Sequence, residues 1–514
     1  MMKRILISMF LCASCYLTVD AQRYLSQIFT DAQITVTSNQ VYGHNYSWLT
    51  FSPVSQNLAM DIYAPDPNID PGIKPLVIYM HTGSFLPVVV NGTPTGTKTD
   101  SATVAMCRQF AKRGYVAVSM DYRLGWNPVG TYEGMRTGTL LRAVYRSLQD
   151  AKACVRYFYK NASTGNTFKV DTNAIILCGQ GSGGYLALAY ATLDKPAELN
   201  LTKFLADSTI GPPYGFMQGQ SYVNPADWGD FDGHGGNPAF NIDSNSNGYS
   251  TKVHFVMNLG GAIGDSSWLE AGDAPMVAFQ VKGDPFAPFG DGPVIVPTTQ
   301  QFVVNVSGSK SVITKANALG NNNCFKNAGF TDPYTLRANQ VNLGQDGLFP
   351  FDMNPPTQAG PWEWFDLQST RNVAQFLGYP PSQGDTVYNN ALITNPNMSK
   401  AKALAYIDTI QNYANPRIVF CLGLSTGISE NEAVAASLLA IPNPSSSDIL
   451  IKLNQSTNII MSVELFDVTG RIIRINNGIN ASQFRIERKN MEPGIYIARV
   501  RTEKGEASLR MIFN

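Results

Sequence analysis

The chain has 514 residues, 38 Lys and Arg set against 38 Asp and Glu, 44% hydrophobic residues and four histidines. That apolar fraction excludes a disordered chain. A net charge of zero with no Lys/Arg-rich run excludes nucleic acid as the main partner.

The first 21 residues read as a signal peptide. Lys3 and Arg4 form a basic start, Ile5 to Leu17 an apolar stretch, and Val19-Asp20-Ala21 a small-residue cleavage site before Gln22. The apolar stretch is shorter than the ~20 residues of a spanning helix, and no later segment reaches that length, so no transmembrane segment is expected. Removing this leader takes away Cys12 and Cys15 and leaves Cys107, Cys154, Cys178, Cys324 and Cys421. Export permits disulfides, and Cys107 and Cys154, both on expected amphipathic helices, form a candidate pair. These five include no CxxC pair, so neither a zinc site nor any cofactor is assigned.

From Leu76 to Leu188 strands and helices alternate. Leu76 to Met80 is an apolar run, Ser101 to Lys112 a helix ending at Gly114, Tyr115 to Met120 a strand, and Thr137 to Tyr159 a long amphipathic helix. Ala174 to Cys178 is a strand that leads at once into Gly179-Gln-Gly-Ser-Gly-Gly184 and another helix. Val253 to Leu259 and Met276 to Val281 continue the pattern. Apolar strands between helices predict a mostly parallel sheet with helices on both faces. Residues 210–250 are rich in Gly, Asn and Asp and read as a loop or cap insertion. Within them, Asp243-Ser-Asn-Ser-Asn-Gly248 matches the start of a calcium loop but lacks its closing Glu, so an Asn/Ser-rich turn is the simpler reading.

The pattern changes after a Gly/Ser/Ala-rich linker at 426–440. Residues 449–453, 459–466, 484–486, 495–500 and 507–512 alternate apolar and polar side chains. Turn signals at Thr469-Gly470, Asn476-Asn-Gly478, Pro493-Gly494 and Lys504-Gly505 separate them. This predicts a small C-terminal β-sandwich over 441–514. It carries a net charge of +3 and leaves the body over 22–440 at −4.

The tail resembles the type A C-terminal sorting domain of the Bacteroidetes type IX secretion system. Pro442-Asn-Pro444, Leu465-Phe-Asp467 with Gly470-Arg471, Pro493-Gly-Ile-Tyr496 and Lys504-Gly505 carry the likeness. The resemblance implies the secretion machinery as a partner, passage through the outer membrane, and a secreted or cell-surface product.

The body over 22–425 resembles the α/β-hydrolase fold of carboxylesterases and lipases, from about Asn57 to Leu188. Leu58-Ala-Met-Asp-Ile-Tyr-Ala-Pro65 matches the first hairpin, and His81-Thr-Gly-Ser-Phe85 stands where the family has its oxyanion loop. Asp121-Tyr-Arg-Leu-Gly125 and Gln149-Asp-Ala-Lys152 follow in order, and Gly283-Asp284-Pro285 matches the turn that carries the triad acid. The resemblance implies an oxyanion loop at His81, Thr82 and Gly83, a nucleophile elbow at Gly179, Gly181 and Gly183, and a catalytic acid at Asp284. The same Gly179-x-Gly181-x-x-Gly184 spells a dinucleotide fingerprint, but several strands precede it where a Rossmann fold would have its first.

The elbow departs from the family pattern. A nucleophile at such a turn needs small residues two places before and after it. Gly179 and Gly183 supply these around Gly181, which has no oxygen to attack with. Ser182 is one place late and reads as a helix cap. The base is also missing. His44, His81, His234 and His254 all precede Asp284, whereas this fold places its base after the acid. The expected loop at 357–364 offers Gln358, Pro361, Trp362 and Glu363 instead of an imidazole. Of the histidines, His234 alone lies in a loop able to reach a pocket from an insertion. Aromatic residues at Trp126, Trp228, Phe231, Phe286, Phe289, Trp362 and Trp364 are candidates for a pocket rim. Two readings stay open: an esterase-like hydrolase using Asp284 with Ser182 or another attacking group, and a catalytically silent member that keeps the pocket for binding.

Overall fold

In the computed structural model, residues 23–514 are described apart from 243–244, 297, 327, 425–433, 435–436, 455–457, 468–471 and 504. The leader and most of the linker therefore lie outside the described residues, as does the first part of the calcium-like turn. The chain divides into a body, Tyr24–Leu424, and a tail from Ser425.

The central apolar runs of the body become strands because each is buried on both faces. The strands are β1 (Ile34–Ser47), β2 (Val54–Pro65), β3 (Lys74–Met80), β4 (Val116–Met120), β5 (Val170–Gln180), β6 (Phe255–Leu259), β7 (Ala262–Ile263), β8 (Met276–Val281), β9 (Asp291–Ile295), β10 (Phe302–Gly308) and β11 (Leu348–Phe351). Eight of them form one sheet in the order β1-β2-β4-β3-β5-β6-β8-β11. β1 and β2 pair antiparallel, as do β2 and β4, and the other neighbours are parallel. Every residue of β3, β4, β6, β8 and β11 is buried, as expected for strands covered by helices on both sides.

The helices that matter here are α1 (Ser101–Lys112), α2 (Glu133–Ser163), α3 (Ser182–Thr192), α4 (Ser309–Ala318), α5 (Leu367–Phe376), α6 (Pro381–Thr394) and α7 (Lys400–Leu422). One core joins α2, α3 and α4 to a face of the sheet through Met60, Ile78, Leu148 and Leu186. A second core joins α1 and α7 to the other face through Val77, Phe110, Phe279 and Ile410. A small sheet of β7, β10 and β9 is held to α2 where Thr137 Oγ1 donates to Val303 O at 2.5 Å and Arg136 Nε to Phe302 O at 3.2 Å.

This layering corrects the expected cysteine pairing. Cys107 and Cys154 are both free and buried, in the cores on opposite faces of the sheet. The disulfide joins Cys324 to Cys421 instead, tying α7 to the segment before β11.

The tail has five of its seven strands near the expected positions. β12 (Leu438–Ile441), β13 (Ile449–Leu453) and β16 (Gln483–Ile486) form one antiparallel sheet. β15 (Ile472–Ala481), β14 (Ile460–Asp467), β17 (Gly494–Thr502) and β18 (Gly505–Phe513) form another. Ile449, Ile451, Val463, Leu465, Val500 and Met511 share one buried core. Two local readings change. Leu438–Ala440, expected in the linker, pair with β13. Asn476-Asn-Gly478, expected as a turn, lies inside β15, because Ser462 and Val463 of β14 pair with Asn477 and Asn476 and satisfy their backbones.

Closing a loop of 97 residues restricts the unfolded chain strongly. Replacing Cys324 and Cys421 by Ser is expected to lower the body's stability by about 2–4 kcal/mol. Trp48, Trp126, Trp228, Trp268, Trp362 and Trp364 all lie in the body, so tryptophan fluorescence during urea unfolding isolates that loss from any change in the tail.

Candidate functional site

The site lies where β3 and β5 end side by side. Met80 is opposite Gly179, and Gln180 opposite Leu259 of β6. Beyond these pairs the chain leaves β3 as His81-Thr82-Gly83 and turns from β5 through Gly181 into α3. Gly181 has φ 53° and ψ −120°, a backbone state that side chains rarely adopt, and its N–H donates to Leu259 O at 2.8 Å. The flanks must be small. A Cβ on Gly179 would lie 2.0 Å from Gly183 O, and one on Gly183 2.2 Å from Met80 O. Backbone contacts therefore exclude side chains at 179 and 183.

A Cβ built on Gly181 would lie 2.0 Å from Thr82 Oγ1 and 2.9 Å from Thr82 Cβ. The Thr82 hydroxyl thus fills the volume that an elbow nucleophile would need. Gly83, with φ 126°, follows it, and a Cβ there would lie 2.7 Å from Gly96 Cα. Nothing in the local sequence signals the Thr82–Gly181 contact, which exists only because β3 and β5 pair in this register.

Ser182 is the first residue of α3, and Gly181 takes the cap position, which corrects the cap reading. Tyr122 donates its hydroxyl to His81 O at 2.8 Å, so Ser182 Oγ, 3.0 Å away, donates to Tyr122. Ser182 is 6% exposed. Its hydroxyl is thereby held in a buried chain of hydrogen bonds. His81 is buried against Tyr122, ring centres 4.5 Å apart, and its Nδ1 donates to Thr82 O at 2.5 Å. It shapes the loop that carries Thr82.

The other histidines lie elsewhere. His44 bonds Asn57 and Ser55 within the β1–β2 hairpin, and His254 Nδ1 accepts from Ile175 N at 3.3 Å. The His234 N–H donates to Asp230 Oδ1 at 2.9 Å. No histidine is among the described residues that line the cavity above Gly181.

That cavity measures about 1450 Å³ including its open mouth. Phe85, Trp126, Leu140, Val144, Trp268 and Val304 give it apolar walls. Thr82, Gln180, Ser182, Asp284 and Glu363 gather at its polar end. Of the expected rim aromatics, Trp126, Phe286 and Trp362 line it, while Phe231, Phe289 and Trp364 do not. Trp228 lines a separate cleft.

Asp284 follows β8 as expected, and its Oδ1 accepts from Phe286 N at 2.8 Å. Glu363 enters from the loop where the base was sought. Asn395 fixes that loop, donating to Gly360 O at 3.2 Å and Glu363 O at 3.1 Å. Glu363 Oε1 accepts from Gln180 Nε2 at 2.9 Å, and Gln180 Oε1 accepts from Tyr79 Oη at 2.6 Å. Burial pushes the Asp284 carboxyl up to about 7. Burial, with Asp100 and Asp284 nearby, pushes Glu363 up to about 8. Among the described residues, the polar end thus holds two carboxyl groups and no basic side chain. Among the described residues no cluster of His, Cys, Asp and Glu suits a metal ion.

Residues 60–210 match the BD-FAE family, an α/β-hydrolase esterase family, and residues 440–514 match the secretion system C-terminal sorting domain. A curated relative, phenmedipham hydrolase of Pseudarthrobacter oxydans, is 32% identical over 152 residues, 29% of this chain; the match spans 26% of that relative's length. Among solved structures, esterase 2 of Thermogutta terrifontis phosphorylated by paraoxon is 16% identical, with 51% of this chain and 75% of that one covered and a TM-score of 0.29. A bifunctional GH43-CE protein of Bacteroides eggerthii is 16% identical, with 69% of this chain and 33% of that one covered and a TM-score of 0.32. By the two family matches, the body is of the α/β-hydrolase class over residues 60–210 and the tail is a secretion sorting domain over 440–514. Among the described residues no helix is long and apolar enough to cross a membrane.

Two expectations follow. Both acids hold a proton more tightly folded than unfolded, so the stability they contribute is complete below pH about 4 and is lost as pH rises through about 7 and 8. Urea unfolding between pH 5 and 9 is expected to show body stability falling with pH, and less steeply in Asp284→Asn and Glu363→Gln. Gly181→Ser alone is expected to cost about 1–3 kcal/mol by overpacking. Adding Thr82→Gly removes the colliding hydroxyl, so a double-mutant cycle is expected to return most of that cost.

Proposed function

We propose that this chain is an esterase-like α/β-hydrolase homologue, exported by the type IX secretion system, whose pocket binds a largely apolar ligand without serine-type acyl transfer. The observation that carries this reading is the contact at Gly181. The elbow is built, yet the space for its nucleophile is filled by the Thr82 hydroxyl. Ser182, the nearest serine, gives its proton to Tyr122 within the protein. Glu363 stands at the place of the base, and with its proton affinity raised it is largely protonated near pH 7.

The consequences follow from acyl-transfer chemistry. A Ser-His-Asp unit needs an oxygen at the elbow and an imidazole to take its proton. Without both, most of the ~10⁶-fold acceleration of such units is absent. An oxyanion loop over a dry pocket still orients a carbonyl or hydroxyl group. The apolar walls remove ligand surface from water, contributing about 25 cal/mol per Å² buried. Glu363, largely protonated near neutrality, offers a hydrogen-bond donor to the ligand's polar end, and Asp284 does so in its protonated fraction.

Two assays test this. The purified full chain is expected to resist a fluorophosphonate probe and to hydrolyse a nitrophenyl acetate no faster than Ser182→Ala does. Probe labelling that disappears in Ser182→Ala or in Thr82→Val would overturn the silent reading and identify the attacking oxygen.

A further inference from the structure

The helix that walls the cavity has a second cleft on its other side. Leu140 and Val144 of α2 line the cavity, and Arg142 and Arg146 line a cleft with Trp48, Phe51, Tyr214 and Trp228. A step of two residues turns a helix by about 200°, which places the two pairs on opposite faces.

The charges around this cleft do not balance. Arg123 takes both oxygens of Asp150, its N and Nε donating at 2.8 Å to Oδ2 and Oδ1 respectively. Arg142 donates its Nε to Tyr222 O at 2.8 Å and Nη1 to Tyr214 O, and its guanidinium sits 4.3 Å from the Phe216 ring centre. Its hydrogen bonds thus go to neutral acceptors, and the carboxylate whose charge acts on it is that of Asp227. Arg146 is 2% exposed, and its Nε and Nη2 have no hydrogen-bond acceptor. Its Nη2 packs so closely on Gly125 that a Cβ there would come within 2.6 Å.

The indole Nε1 atoms of Trp48 and Trp228 are also buried without an acceptor. Among the described residues lining the cleft, the unmatched buried groups are therefore four donors and no acceptor. Stacking on Trp228, 5.0 Å from its ring centre, offsets part of the cost of burying Arg146. It gives Nε and Nη2 nothing to bond. An uncompensated buried guanidinium costs several kcal/mol.

We propose that this cleft binds a small oxyanion, a carboxylate carried on a planar apolar group. Arg146 and Arg142 face the charge, and Trp48, Phe51, Tyr214 and Trp228 face the ring. The site is independent of the cavity above Gly181, where no Lys, Arg or His is among the described lining residues to pair with such a ligand.

The full chain is titrated with benzoate at constant ionic strength and followed by tryptophan fluorescence. The expected result is a saturable change that acetate competes away and chloride does not. In Arg146→Met, benzoate is expected to bind at least tenfold more weakly. In anion-poor buffer that variant is expected to melt no lower than wild type, since it removes an unmatched buried charge. An unchanged benzoate response in Arg146→Met, or no competition by acetate in wild type, would overturn the proposal. So would failure of Arg146→Met to fold, which would make the guanidinium a structural element only.

Discussion

The parallel pairing of β3 with β5 is the constraint on which the site depends. It sets Met80 against Gly179, and so brings the first residues beyond each strand together. Whatever stands at 82 then meets whatever stands at 181. Here a threonine meets a glycine, and the two share one side chain's worth of space. Close-packed interiors leave no room for two. The bare Gly181 and the Thr82 side chain are thus one packing solution.

The same economy of space governs the cavity. One face of α2, α3 and the β7-β10-β9 sheet supply apolar walls, and the two carboxyl groups lie beyond the end of β8 and in the loop at Glu363. Low polarity there disfavours ionised carboxyls, which is why Asp284 and Glu363 hold their protons. Across α2 the imbalance has the opposite sign, with guanidinium groups in excess over carboxylates. A single helix therefore separates an acid-lined cavity from a cation-lined cleft.

Much of the fold is legible in sequence because it rests on periodicity and composition. The buried strands read as apolar runs, and α1 ends near Gly114 as expected. The cysteine pairing was not legible. Amphipathic spacing shows that Cys107 and Cys154 each lie on a buried helix face, but not that a sheet stands between them. In the tail, Asn-Asn-Gly reads as a turn because its local preference is strong, and strand pairing overrides that preference.

The sequence by itself determined that the elbow glycine at 181 has no attacking atom and that no histidine follows Asp284, since both are matters of residue identity and chain order. Only the tertiary structure decided that Thr82 fills the elbow, that Ser182 is hydrogen-bonded to Tyr122, that Glu363 joins Asp284, and that Arg146 Nε and Nη2 lack an acceptor. These are contacts between residues tens to hundreds of positions apart. Nothing in local sequence encodes them, because they exist only once strand register and helix packing have fixed which side chains meet.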